Sequence, residues 1–234
     1  TILQTARCME FTTPEGQKLG AEICKKHGID GVIVIGGDGS FKGAQKLAGL
    51  GINTVAIPGT IDLDIACTDY TIGFDTAVNT VVSLLSNIRD TSSSHGRATV
   101  VEVMGRHCGD IALNAGLAAG AESILIPEKP YDIDAICEKM LAGKKRGKLH
   151  SVIMKAEGVD IGTEDLARIL QERTGIDTQV VVPGYIQRGG SPTATDRIIA
   201  TYMGYEAVQL LAEGKNCRVV ALKGDRVVDY DIAE

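Results

Sequence analysis

The sequence predicts an α/β fold with two domains, each built on a largely parallel sheet flanked by helices. Short runs rich in Val, Ile and Thr alternate with amphipathic stretches along nearly the whole chain, the pattern of βα units. Most of those runs are apolar throughout rather than alternating, as expected of strands covered on both faces. Glycine is in excess, 28 of 234 residues or about 12 % against a usual roughly 7 %, without a repeat, so many tight turns are needed.

The elements follow in order. An amphipathic stretch from Gly16 to His27 precedes the strand Gly31 to Ile35, and a helix from Phe41 to Leu50 leads to the strand Thr54 to Ile57. Helices Asp75 to Arg89, Asp110 to Ala119, Ile133 to Ala142 and Thr163 to Thr174 alternate with strands Ala98 to Met104, Ser123 to Ile126, Ser151 to Lys155 and Val180 to Val182. A last helix, Thr193 to Gly214, precedes the strand Arg218 to Leu222. Ser191 ahead of Pro192 reads as its N-cap with proline at the first helical position, and Gly214 as its closing residue.

Composition narrows the function classes. A net charge of −6, from 24 basic and 30 acidic side chains, gives no general attraction to nucleic acid or anionic lipid, so anionic ligands need local basic pockets. The charge-free stretch Leu47 to Ile61 holds three glycines and a proline and falls short of a membrane-spanning helix. Six cysteines are scattered without a C-x-x-C pair, which argues against a zinc site and suits reduced thiols in the cytoplasm.

In open α/β sheets, ligands bind beyond the carboxyl ends of the strands. Two such ends are rich in chemistry. In Gly36-Gly37-Asp38-Gly39-Ser40, consecutive glycines let backbone approach a phosphate, and the helix that follows offers N–H groups to an anion. Asp38 could hold magnesium there, although an ordinary strand-to-helix junction with Ser40 as N-cap reads equally well. In Pro58-Gly59-Thr60-Ile61-Asp62-Leu63-Asp64, an extended backbone would aim both carboxylates to one side, where their repulsion calls for a cation or basic partner. A hydroxyl, a metal-binding acid and an acid placed as base are what phosphoryl transfer to an alcohol requires, whereas the bland alternative is a solvated acidic turn. Arg97, Arg106 and Arg188 lie at strand ends or in glycine-flanked loops, and gathered together they would fit phosphates.

In this order and spacing, GGDGS, PGTIDLD, TIGFDTAVNT, EVMGRHCGDIAL, AEGV and GYIQRGGSPTATDR resemble the ATP-dependent 6-phosphofructokinases of bacterial type, over the whole of Thr1 to Glu234. The resemblance implies transfer of the γ-phosphate of ATP to the 1-hydroxyl of fructose 6-phosphate in glycolysis. By match to the family motifs, Asp62 is the general base, Thr60 lies near the transferred phosphoryl, Asp38 and Asp64 hold Mg²⁺, and Arg106 stabilises transition-state charge. Arg7, Cys8, Gly37, Asp38, Gly39, Ser40 and Gly43 match nucleotide positions. Met104, Gly105, Glu157 and Arg188 match sugar-phosphate positions, and Arg97 one contributed across a subunit interface. Arg89, Glu122, Arg146 and Lys148 match effector positions, in part within a basic segment that reads equally as a solvated helix end. Glycine at 39 and 59, where pyrophosphate-using relatives tend to carry Asp and Lys, favours ATP. The family is usually a cytoplasmic homotetramer.

Three positions depart from the family: Leu63 between the paired aspartates, Gln179 where an arginine normally reaches a neighbour's sugar phosphate, and Tyr185 in place of a histidine. They motivate a second reading, a non-catalytic subunit that binds phosphosugar or nucleotide, with a pyrophosphate-dependent enzyme as a third. The resemblance also leads us to expect an internal fragment, without the family's amino-terminal Gly-Gly-Asp phosphate loop and its carboxyl-terminal end. The expected domains are 1–74 with 186–234, binding ATP and Mg²⁺, and 75–185, binding the sugar phosphate.

Overall fold

The computed structural model describes residues 5–233. The chain divides into two compact units: Thr1–Thr60, Ile65–Ile72 and Arg197–Glu234 form one, and Ile61–Asp64 with Gly73–Asp196 the other. The outer ends expected for the first domain, residues 1–4 and 234, lie outside the described residues.

The first unit holds a four-stranded sheet ordered β1-β2-β7-β8, from β1 (Gly31–Gly36), β2 (Asn53–Pro58), β7 (Arg218–Lys223) and β8 (Arg226–Asp231). The first three are mutually parallel, and β8 returns antiparallel to β7. This last strand has no counterpart in the sequence-based expectation. Its hairpin turns on Gly224-Asp225, with Lys223 paired to Arg226 and Gly224 at φ 60°, where glycine carries no steric penalty. Because side chains alternate across a strand, Val55 and Ile57 pack with Met203, Ala207 and Leu210 on one face, while Ala56 packs with Phe41 and Ile65 on the other. Helix α7 (Ala194–Ala212) thus covers one face and α2 (Asp38–Gly49) the other, with α1 (Pro14–Lys26) against α2.

The second unit holds an all-parallel sheet ordered β4-β5-β3-β6, from β3 (Ala98–Val103), β4 (Ser123–Leu125), β5 (Ser151–Ala156) and β6 (Thr178–Val181). Strands β3 and β5 are central and almost wholly buried, which explains their apolar middles. Helices α3 (Phe74–His95), α4 (Asp110–Ala119), α5 (Ile133–Lys145) and α6 (Thr163–Thr174) complete one continuous core around Val100, Val101, Ile153 and Met154.

Helix ends correct the expected caps. Ser191 and Pro192 precede α7, and it is the hydroxyl of Thr193, next to the helix start, that accepts from the Asp196 N–H at 3.3 Å. At the other end, Gly214 N–H bonds to Leu211 O and Lys215 N–H to Leu210 O, a Schellman closure with Gly214 at φ 75°. Helix α3 begins after Gly73, which has no side chain to cap it. The 2 %-exposed Asp196 does this from far along the chain, accepting from the N–H of Gly73 at 2.7 Å, the N–H of Thr76 at 2.9 Å and the Thr76 hydroxyl. No helix among the described residues is long and apolar enough to cross a membrane.

Replacing Asp196 by Ala leaves those donors without their acceptor in a buried place. We expect a loss of about 1–3 kcal/mol in urea unfolding, larger than Asp196→Asn, which keeps one oxygen.

Candidate active site

The glycine loop after β1 is the beginning of α2 itself. We expected the helix near Phe41 with Ser40 as a candidate cap; instead Gly37 is the N-cap, and Asp38, Gly39 and Ser40 form the first turn. The difference comes from Gly37 O, which accepts from both Ser40 N at 2.9 Å and Phe41 N at 3.1 Å. Gly37 provides no capping side chain, so the N–H groups of Asp38 and Gly39 at the helix start, ahead of those taken up by Gly37 O, have no side-chain cap. Asp38 lies in that turn, half-exposed, with Oδ2 held by Lys42 at 2.8 Å.

Gly36 and Gly59 are required by close approach: a Cβ on Gly36 would lie 2.4 Å from Ser40 Oγ, and one on Gly59 would lie 2.7 Å from Ile35 Cγ2. A Cβ on Gly39 would meet nothing within 4 Å, so neither packing nor φ demands glycine there. Thr60 stands beside this turn, its Cβ 3.8 Å from where a Gly37 Cβ would be. Gly43 faces the Phe11 ring, 3.4 Å from a would-be Cβ. Arg7 and Cys8 are exposed, just ahead of the short 3-10 turn Glu10–Thr12.

In the second unit, the segment from Ile61 to Asp64 bends at Ile61 and Asp62 rather than running as a strand. The basic partners expected for its acids are present: Arg106 Nη1 lies 3.6 Å from Asp64 Oδ2, and Asp62 feels both Arg188 and Arg106. They do not win at Asp62. Burial, with Asp64 and Glu157 adding repulsion, raises the Asp62 carboxyl above the usual carboxylate range despite the two arginines.

Arg106 is aimed by backbone geometry. Gly105 has φ 147° and Arg106 φ 58°, the latter a left-handed conformation that ordinary side chains avoid. Glu157 holds this turn, since its Oε1 accepts from Gly105 N at 3.2 Å and Arg106 N at 2.6 Å. Gln187, 1 % exposed, adds a third tie by accepting from Met104 N at 3.0 Å. Gln187 was missed as a support although it lies in the segment read for Arg188. Arg188 and the exposed Tyr185 stack, with the guanidinium carbon 5.4 Å from the ring centroid.

The three arginines do not gather. Arg97 immediately precedes β3, whereas Arg106 follows its other end, and six residues of strand span about 20 Å. Arg97 bonds Asp177 at 2.6 Å, and Gln179 bonds the other oxygen of Asp177 at 2.8 Å, so both lie at the end of the sheet away from Arg106. Of the effector candidates, Lys148 pairs with Glu122, which also accepts from Val152 N at 2.5 Å, and Arg89 donates to Ala119 O. Burial and the charge of Arg89 lower the Lys148 pKa. Arg146 is the exposed C-cap of α5.

The Cys108, Asp110 and Glu128 side chains also approach one another. Burial and the bond from its Sγ to Asp110 push the Cys108 thiol up to about 12, and Glu128 is committed to Gly109 N at 2.7 Å. The set packs the turn into α4.

A Cβ on Gly105 would lie 2.3 Å from Cys108 O. We therefore expect Gly105→Ala to destabilise the chain by about 1–3 kcal/mol in chemical denaturation. Gly39→Ala, at an open position, should change stability by less than about 1 kcal/mol.

Comparison with known proteins gives the family of this site. A family profile described as Phosphofructokinase matches residues 1–211. The ATP-dependent 6-phosphofructokinase of Alkaliphilus metalliredigens is 63% identical over 234 residues, which are 100% of this chain and 73% of that protein. The one from Clostridium botulinum is 58% identical over the same shares. Among solved structures, phosphofructokinase from Saccharomyces cerevisiae matches with a TM-score of 0.93 at 35% identity, covering 100% of this chain and 35% of that one. The matched length and the identity together establish that the chain belongs to the phosphofructokinase family.

Proposed function

We propose that this chain transfers the γ-phosphate of ATP to the 1-hydroxyl of fructose 6-phosphate, with Asp62 as the general base. The observation that carries this reading is the setting of Asp62: a half-buried carboxylate of raised proton affinity, among Asp64, Glu157, Arg106 and Arg188. A base must be basic enough to accept a hydroxyl proton, and burial among other acids supplies that. Arg106 and Arg188 act against that rise and favour the ionised carboxylate, and Arg106 offers positive charge to the phosphoryl oxygens as charge redistributes. Met104, Gly105, Glu157 and Arg188 make up the sugar-phosphate side.

The nucleotide side belongs to the first unit. The start of α2 at Gly37, Asp38, Gly39 and Ser40 presents N–H groups suited to phosphate oxygens, with Thr60 beside it and Arg7, Cys8 and Gly43 as further contributors. The space around Gly39 supports ATP over pyrophosphate as donor, because the fold itself would accept a side chain there. Asp38 and Asp64 are hard oxygen donors of the kind Mg²⁺ prefers, and each has one oxygen engaged by a basic side chain and a second to offer. Magnesium held by either carboxylate would neutralise phosphate charge.

We further propose a cytoplasmic homotetramer. Arg97 and Gln179, at the sheet end away from Arg106, would serve a neighbouring subunit's sugar phosphate, and Arg89, Glu122, Arg146 and Lys148 an effector. The six free thiols suit a reducing compartment. The expected domain assignment becomes a proposal of the same kind: the unit carrying Asp38 binds nucleotide, and the unit carrying Asp62 binds sugar phosphate.

ADP should form only when fructose 6-phosphate, ATP and Mg²⁺ are all present, and EDTA should stop it. Asp62→Ala should lower kcat by about 10²–10⁴-fold with the fold intact by circular dichroism. Binding of fructose 6-phosphate without turnover would favour a non-catalytic subunit, and turnover with pyrophosphate in place of ATP would overturn the choice of donor.

A further inference from the structure

Lys155 is 2 % exposed, on a central strand of a sheet whose other buried side chains are apolar or small hydroxyls, none of them charged. A charge there is costly unless paired, and well-packed apolar residues in place of such a pair often do as well or better for stability. Stability alone therefore does not account for it, and its partners suggest what does. Lys155 Nζ lies 2.9 Å from Glu102 Oε2, and the same oxygen accepts from the hydroxyl of Thr163, the first residue of α6. Glu102 and Lys155 are register partners, each one residue short of the end of its strand.

What lies beyond those ends is the catalytic turn. Glu157 N donates to Val103 O at 2.9 Å, continuing the ladder, and Glu157 Oε1 then holds the amides of Gly105 and Arg106. Residues 157–162 form a loop with both ends fastened to Glu102: through Lys155 on the strand side and through Thr163 on the helix side. That loop runs against the arginine, since a Cβ on Gly158 would lie 2.6 Å from Arg106 O. A loop pinned at both ends has few conformations to lose, so its carboxylate is held ready for the turn it grips.

We propose that the buried Lys155, Glu102 and Thr163 form a positioning device that fixes the ends of β3 and β5, and through Glu157 the backbone conformation that aims Arg106. Its kinetic consequence rests on the sugar-phosphate role proposed above for Gly105 and Glu157, which this turn holds together. Its structural consequence does not. A one-residue slip between β3 and β5 would carry Glu102 to the opposite face from Lys155, so the pair also guards the register.

The test is amide hydrogen exchange on the full chain, comparing wild type with Lys155→Met, with Thr163→Val and with Glu102→Leu/Lys155→Met. The Gly105 and Arg106 amides should exchange at least about tenfold faster in all three, while mid-strand amides of Val100 and Ile153 stay within about threefold. The double variant removes both charges together, so its stability should return toward wild type while the fast exchange remains. In parallel, KM for fructose 6-phosphate should rise about tenfold, with KM for ATP within about twofold. Uniform acceleration across the sheet, or unchanged exchange at 105 and 106, would overturn the proposal. Thr163→Val, which deletes only a hydroxyl bond, decides the matter if Lys155→Met fails to fold. A wild-type protein without turnover would refute the proposed activity, and the exchange measurement would still judge the positioning role.

Discussion

One carboxylate oxygen, Glu157 Oε1, holds two consecutive backbone amides in conformations that the chain would not otherwise keep. Gly105 at φ 147° and Arg106 at φ 58° cost free energy, of order 1–3 kcal/mol for the arginine. Charge-assisted bonds to the two amides offset that cost. Gln187 anchors the preceding residue and the turn closes through Cys108 N to Gly105 O at 2.9 Å, so the strain is surrounded by structure that sustains it. Arg106 reaches Asp64 because this turn points it there.

The electrostatics of the acids depend on the same turn. Asp62, Asp64 and Glu157 repel one another, and without Arg106 and Arg188 nearby that repulsion would go unopposed. With the arginines present the balance still favours a raised proton affinity, because a half-buried site strengthens repulsion and withholds hydration. A carboxylate poised in this way is a stronger base than a fully solvated one. The left-handed arginine is thus connected, through charge, to the basicity of a residue far away in sequence.

Much of this was legible in the sequence. Seven strands and seven helices could be placed because βα alternation writes itself in apolar runs and 3.6-residue periods. Strand β8 was not read although a Gly-Asp pair between two β-branched runs is a hairpin signal; its strand carries Asp229 and Asp231 and so looks like a polar tail. The cap of α3 by Asp196 could not be read, since nothing local links residues so distant in sequence. Lys155 looked like a strand terminus because lysine is rarely buried, and only the register that brings it to Glu102 shows otherwise. The acids of the two strand-end loops and the three arginines were legible from the residues themselves, while the further nucleotide, sugar-phosphate and effector residues came by resemblance. That Arg97 lies a strand's length from Arg106 required the sheet.

The central claim is that burial and neighbouring acids make Asp62 a stronger base than an ordinary aspartate. Carboxyl-carbon NMR titration of Asp62 in the full chain measures this directly. A raised pKa means that protonation begins at a higher pH than in a solvated aspartate, so as pH falls Asp62 should titrate before most other aspartates. In Glu157→Gln, which removes one repelling charge, its midpoint should move down. An Asp62 midpoint at or below that of exposed aspartates would contradict the account.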